Sequence, residues 1–87
     1  MKEVGEAVQE VGERIKVLAS FAGPKVRIHF FSWRGRTYKV DSMNLFHIEK
    51  DAQRQIYQFA VSAIGNTYQL TFDPITLEWQ LRDVVAV

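Results

Sequence analysis

Residues 30–40 constrain the fold of this 87-residue chain more than any other segment. Aromatic and β-branched residues stand on both sides of Arg34-Gly35, which is typical of a β-hairpin with a two-residue turn. Gly35 supplies the positive φ that the second position of such a turn requires. In the predicted register four large side chains share one face: Phe31, Trp33, Arg36 and Tyr38. The other strands are expected to cover this hairpin.

Apolar and polar residues alternate on both sides of the hairpin, and this alternation predicts an antiparallel meander. Strands are expected at about 14–21, 25–33, 36–48 and 55–63, and two more follow the turns at Gly65-Asn66 and Asp73-Pro74. Strand 25–33 has large apolar residues on both faces, which requires a bulge or cover on both sides. A change of parity near 41–43 predicts a bulge or a sharp bend, and the charged run 49–54 predicts an exposed connection.

The N-terminal segment has a different period, with apolar residues spaced as on one face of a helix: Val4, Ala7, Val8 and Val11. Gly5 and Gly12 would each cost such a helix about 1 kcal/mol relative to Ala, so it needs a surface to pack against. The predicted fold is mainly β, of the α+β class. It is one domain over 1–87, with a short helix at 1–12 and a strongly bent sheet of five to six strands at 14–85, either open or closed into a small barrel.

The charge is distributed unevenly, although the formal net charge is only +1. Residues 21–40 contain five Lys or Arg and no Asp or Glu, whereas acidic residues predominate on both sides. The chain has no cysteine, which excludes disulfides and thiolate metal sites. The polar N-terminus resembles neither a secretory leader nor a membrane span, so a cytoplasmic protein that does not bind membranes is expected.

The basic hairpin 25–39 is the best candidate for a binding surface. Cations that contact phosphates and aromatic rings that stack on bases are what a single-stranded nucleic-acid binder on a small β-scaffold requires. The predicted contact residues are Lys25, Arg27, Trp33, Arg34, Arg36 and Lys39. In the alternative interpretation the aromatic rings belong to the core and the arginines only keep a sheet edge soluble.

Association with a protein partner or a second copy is the other hypothesis. The apolar stripe Val4, Val8 and Val11 and a free sheet edge would be covered in a homodimer. Packing of the helix on its own sheet would cover the same stripe within one chain.

No catalytic constellation is recognisable in the sequence. The histidines, His29 and His47, would lie far apart along the predicted strands, and nucleophile-elbow and phosphate-loop motifs are missing. We therefore expect a non-enzymatic protein without catalytic residues, a metal site or a cofactor.

A set of aromatic and glycine positions carries a resemblance to a known group of domains. The run from Trp33 to Val40, followed by Tyr68-Gln69-Leu70, Asp73 and Trp79-Gln80-Leu81, resembles small bacterial β-domains. Some of these domains stand alone, and others form the C-terminal module of polymerase-like accessory proteins of mutagenic DNA repair. The resemblance covers roughly 27–85 and implies a similar β fold, with no catalytic residue to carry over.

Overall fold

The computed structural model describes residues 7–86, and these residues form an open, curled antiparallel sheet. Its seven strands are β1 Ala7–Ala22, β2 Lys25–Trp33, β3 Arg36–Lys39, β4 Ser42–Asp51, β5 Arg54–Ala63, β6 Asn66–Asp73 and β7 Glu78–Ala86. The strand order is β3-β2-β1-β7-β6-β5-β4. The mainly β class and the bent antiparallel sheet are therefore confirmed, but the sheet has seven strands rather than the predicted five to six, and it remains open rather than closing into a full barrel.

The helix predicted for residues 1–12 is wrong for the residues that the structure describes. From Ala7 onwards the chain is part of β1, and Ala7 pairs with Ala86 on β7. The earlier part of the predicted helix, with Val4, lies outside the described residues. Val8 and Val11 therefore do not form a helical stripe: Val8 is exposed on β1, whereas Val11 is half-buried and packs against the core.

The strand predicted at 36–48 consists of two strands at opposite edges of the sheet. β3 pairs with β2, and β4 pairs with β5. At the junction, the Val40 N–H donates to the His29 carbonyl at 2.9 Å and the Asp41 N–H donates to the Ser62 carbonyl at 2.7 Å. The predicted break near 41–43 is confirmed, but it transfers the chain from one sheet edge to the other.

Two-residue turns join most neighbouring strands. The predicted Arg34-Gly35 turn is confirmed, with φ of +52° and +76° and with Trp33 paired to Arg36. The β5–β6 turn is formed by Ile64-Gly65 rather than Gly65-Asn66, because Ala63 pairs with Asn66. The run 49–54 is not an extended connection: it contains the ends of β4 and β5 and a turn at 52–53.

The curl of the sheet gives it an inner face that carries the core and an outer face exposed to solvent. Aromatic side chains meet across the interior from strands that are not neighbours. Tyr68 on β6 lies 5.1 Å from Phe31 and 5.4 Å from Tyr38, between ring centroids. The fully buried side chains include Phe31, Val61, Leu70 and Leu81. Burial of such side chains contributes about 1.5–3 kcal/mol each, which makes this interior the main source of stability.

A bulge in β2 accounts for the apolar residues that the sequence placed on both faces of strand 25–33, because it turns most of them to the inner face. Leu18 pairs with Phe30 and Ala19 pairs with Ile28, so His29 is an extra residue on β2. The bulge lets both Ile28 and Phe31 point to the inner face, where they are 3% and 1% exposed. Phe30 consequently points outwards.

Within residues 7–86 there is no helix long and apolar enough to cross a membrane.

Candidate functional site

One of the two arginines at the tip of the β2–β3 hairpin, Arg34, is paired with an acidic residue from β1. The Arg34 guanidinium donates to both Glu13 carboxylate oxygens, from Nη2 at 2.6 Å and from Nε at 3.2 Å. Trp33 Nε1 donates to the same carboxylate at 2.9 Å. These hydrogen bonds, Arg34's first, hold the pKa of Glu13 below its usual value, and Glu13 in turn raises the pKa of Arg34. The Arg34 charge is therefore already compensated within the chain.

The aromatic residues of the predicted site belong mainly to the interior. Phe31 and Tyr38 are buried and stack at 4.9 Å between ring centroids. Trp33 is half-buried and packs against the core, with the Arg34 guanidinium 4.8 Å from its ring centroid. The exposed Arg36 lies over Tyr38 at 5.4 Å. The rings and arginines of the predicted site therefore stabilise the hairpin through contacts with each other. The burial of the rings agrees with the alternative interpretation, in which they belong to the core.

The remaining predicted cations, Lys25, Arg27 and Lys39, share the outer face of the hairpin. Residues next to them in sequence, such as Val26, Ile28 and Tyr38, point inwards, so strand alternation directs the three cations outwards. All three are exposed, and the structure gives none of them an ion pair with a described residue.

Three residues that the sequence interpretation did not select complete this outer surface: Lys16, Leu18 and Phe30. Leu18 is 60% exposed and Phe30 is 38% exposed, and the two face each other across β1 and β2. Phe30 also pairs with Lys39 on β3, which places an aromatic face beside a cation. The adjacent aromatics at 30 and 31 were the available signal, because neighbouring side chains of a strand point to opposite faces and only one of the two faces can be the buried one.

We define the outer patch as Lys16, Leu18, Lys25, Arg27, Phe30 and Lys39. The sequence contains no Asp or Glu between Glu13 and Asp41, so these strands contribute no acidic side chain to the patch. On the β7 side the nearest carboxylate, that of Glu78, forms an ion pair with Arg14 at 3.1 Å. The patch is therefore cationic with an apolar centre.

An open cleft of about 740 Å³ adjoins the patch where β3 leaves β2. Arg27, Phe30 and Lys39 line it, and Asp41 is the acidic residue on its far side. His29 also lines the cleft, and its Nε2 lies 2.9 Å from Ser20 Oγ. The cleft thus continues the cationic surface around the sheet edge towards the β3–β4 junction.

The two histidines lie on different strands, as the sequence interpretation expected. His29 is on β2, whereas His47 is on β4 and pairs with Gln58. In the described part of the chain no three His, Asp or Glu side chains lie close enough together to hold a metal ion.

These features define a small antiparallel β-domain with a cationic, partly aromatic outer surface. No protein-family model, curated protein or solved structure matches this chain. The resemblance of residues 27–85 to modules of DNA-repair accessory proteins therefore stays a prediction.

Proposed function

We propose that this protein is a non-catalytic binding module for single-stranded nucleic acid, and that the outer patch is its contact surface. The observation that supports the proposal is the position of Phe30, an exposed ring at the centre of exposed cations on three adjacent strands. A base can stack on an aromatic ring whatever its identity, while Lys and Arg contact the phosphates on either side.

The geometry favours a single strand over a duplex. The patch covers three neighbouring strands, which lie about 4.8 Å apart, and therefore forms a narrow, gently curved strip. The surface carries few cations, so the electrostatic part of the affinity is modest and stacking on Phe30 has to contribute to it.

The contact residues differ from those predicted from the sequence. Lys25, Arg27 and Lys39 remain, and Lys16 and Phe30 are added. Arg34 is not a contact residue in this proposal, because its guanidinium is bound to Glu13.

Fluorescence anisotropy with labelled oligo-dT and oligo-U tests the proposal. A length of about 12 nucleotides lies within the range of site sizes of other small β-modules. We expect binding at about 50 mM salt that weakens steeply by about 200 mM. Phe30→Ser is expected to weaken binding about tenfold, since stacking contributes roughly 1–3 kcal/mol per base. Arg27→Gln is expected to reduce the salt slope by about 0.7, the value for one phosphate contact on a single strand.

Lys50→Gln is the matched control, because it removes one exposed positive charge from the opposite edge of the sheet. It should leave both affinity and salt slope nearly unchanged. Absence of binding at low salt with protein at about 100 μM, the weak end of non-specific affinities, would refute the proposal. Equal losses in Lys50→Gln and Arg27→Gln would refute the assignment of the surface.

A further inference from the structure

β4 is a long edge strand whose regular ladder follows a bulge between Met43 and Leu45. It has ten residues and pairs on one side only, with β5, whereas the opposite edge is formed by β3 with four residues. Natural sheet edges are usually short, or are interrupted by proline, because free N–H and C=O groups pair readily with another strand. β4 contains no proline and offers a long ladder to a partner.

The hairpin that joins β4 to β5 determines which backbone groups of β4 are free. Asp51 pairs with Arg54 across a two-residue turn, and the pair that closes such a turn is hydrogen-bonded. Hydrogen-bonded positions alternate along an antiparallel strand, so His47 and Glu49 also direct their N–H and C=O groups to β5. The N–H and C=O groups of Phe46, Ile48 and Lys50 therefore point away from the sheet.

The side chains along this edge form two distinct rows. Phe46 and Ile48 lie on the inner face and are 43% and 36% exposed, with Phe46 packed against Phe59 at 4.9 Å. His47 and Glu49 lie on the outer face, where the Glu49 carboxylate accepts a hydrogen bond from Gln58. The inner row is thus apolar and incompletely covered, and the outer row contains an imidazole and a carboxylate two positions apart.

We propose that a second copy of this chain covers the edge, through antiparallel pairing of the two β4 strands around Ile48. The free backbone groups of Ile48 then bond to those of the partner's Ile48, and the Phe46 groups bond to those of the partner's Lys50. On the outer face His47 lies opposite the partner's Glu49, and the two-fold axis repeats this pair.

Complementarity between the outer-face imidazole and carboxylate selects this register from its neighbours. A shift that centres the pairing on His47 places two imidazoles opposite each other, and centring on Glu49 opposes two carboxylates. If the two-fold axis passed between two residues of β4, inner-face side chains would lie opposite outer-face ones. The alternation of side chains along a strand does not allow such a register. Pairing around Ile48 joins unlike groups on the outer face and sets the two exposed Ile48 side chains opposite each other on the inner face.

The inference concerns the opposite edge from the outer patch, and it is independent of the proposed nucleic-acid binding. Sedimentation velocity between about 10 μM and 1 mM, a range that covers weak but specific association, measures it directly. We expect a reversible monomer–dimer equilibrium. A chain that stays monomeric throughout this range overturns the proposal.

Ile48→Pro and Ile48→Ala separate the backbone contribution from that of the side chain. Proline removes an N–H that points away from β5, so the monomer should keep its far-UV circular dichroism spectrum. The alanine variant loses the side chain and keeps the N–H. We expect Ile48→Pro to dimerise at least about tenfold more weakly than Ile48→Ala, whereas equal effects would overturn the strand-pairing geometry.

A charge exchange tests the register. His47→Glu places carboxylates opposite each other, Glu49→Lys takes away the carboxylate that faces each imidazole, and each is expected to weaken the dimer about tenfold. The double variant again sets a carboxylate at position 47 opposite a cation at position 49 of the second copy, and it should recover the original affinity within about threefold. If the loss of dimer affinity in the double variant equals the product of the losses in the two single variants, this register is overturned.

Discussion

The carboxylate of Glu13 on β1 lies 2.6 Å from the guanidinium of Arg34, although 21 positions separate the two residues in the chain. The pairing of β1 with β2 brings them together at the end of the β2–β3 hairpin. The same carboxylate accepts a hydrogen bond from Trp33 Nε1. Arg34, the cation within the turn, is consequently paired inside the chain, whereas Arg36 beside it stays exposed over Tyr38.

Glu13→Gln is expected to lower the stability at neutral pH but not in acid. The pKa of Glu13 is below its usual value because Arg34 and Trp33 donate to the carboxylate. A carboxyl with a lowered folded-state pKa stabilises the protein above its unfolded pKa, about 4.3, and loses this contribution as the pH falls through the folded value. Urea unfolding at about pH 7 and about pH 3 should show a deficit only at the higher pH, while Asp41→Asn serves as the control. The same deficit at both pH values would contradict the assignment.

Asp83→Asn is expected to have the opposite effect and to stabilise the protein at neutral pH. Burial raises the pKa of Asp83, nearby Glu10 adds to the increase, and Arg82 opposes it. Its Oδ1 is buried and has no hydrogen-bond partner among the described residues. A carboxyl with a raised folded-state pKa favours folding below its unfolded pKa and loses that advantage as the pH rises through the folded value. Removal of the charge should therefore raise the free energy of unfolding by about 1 kcal/mol at pH 7. The gain in the free energy of unfolding should disappear near pH 3, about one unit below the usual Asp pKa, and a gain that persists there would contradict this explanation.

Ile64→Asn is expected to stabilise the β5–β6 hairpin. Ile64 has a φ of +41° and precedes Gly65 at +83°, so a β-branched residue occupies a left-handed position. Asn-Gly is the preferred sequence for such a turn, and the side chain of Ile64 is already 55% exposed. We expect the free energy of unfolding to rise by about 1 kcal/mol. Ile75→Asn removes a 79% exposed isoleucine from the following turn, where φ is not positive, and should give no gain.

Phe30 and Phe31 should respond differently to truncation, although they are adjacent. Phe31→Ala removes a ring that stacks on Tyr38 and contacts Tyr68, and is expected to cost about 3–5 kcal/mol, as for other buried aromatics. Phe30→Ala should cost no more than about 1 kcal/mol, since its ring is partly exposed on the outer face. Chemical unfolding of both variants measures the difference. Similar losses would show that Phe30 and Phe31 do not lie on opposite faces of β2 as described.

The local features of the fold were predictable because neighbouring residues specify them. The alternation along 25–33 predicted β2 with its bounds, and Gly35 predicted the two-residue turn with its register. The need for either a bulge in β2 or cover on both sides was also recognisable from its apolar residues on both faces. The sequence did not indicate where the bulge lies, because the insertion of His29 is defined only against the partner strand β1.

The non-local features were not predictable in the same way. The spacing of Val8 and Val11 suits a helix, but pairing of this segment with β7, and a bulge with φ of +67° at Gly12, make it a strand. The pattern after Gly35 predicts one bent strand, but its two halves have different partners. In both cases the deciding hydrogen bonds come from residues far away in the sequence.

By itself, the sequence determined a β-sheet protein with a cationic segment between acidic ones, because side-chain alternation, turn residues and charge are local properties. Only the tertiary structure decided which of those cations are free. Arg34 is compensated by Glu13 from another strand, whereas Arg27 and Lys39 stand exposed around Phe30. The physical reason is that compensation of a charge and exposure of a ring depend on the partners that the curled sheet brings together.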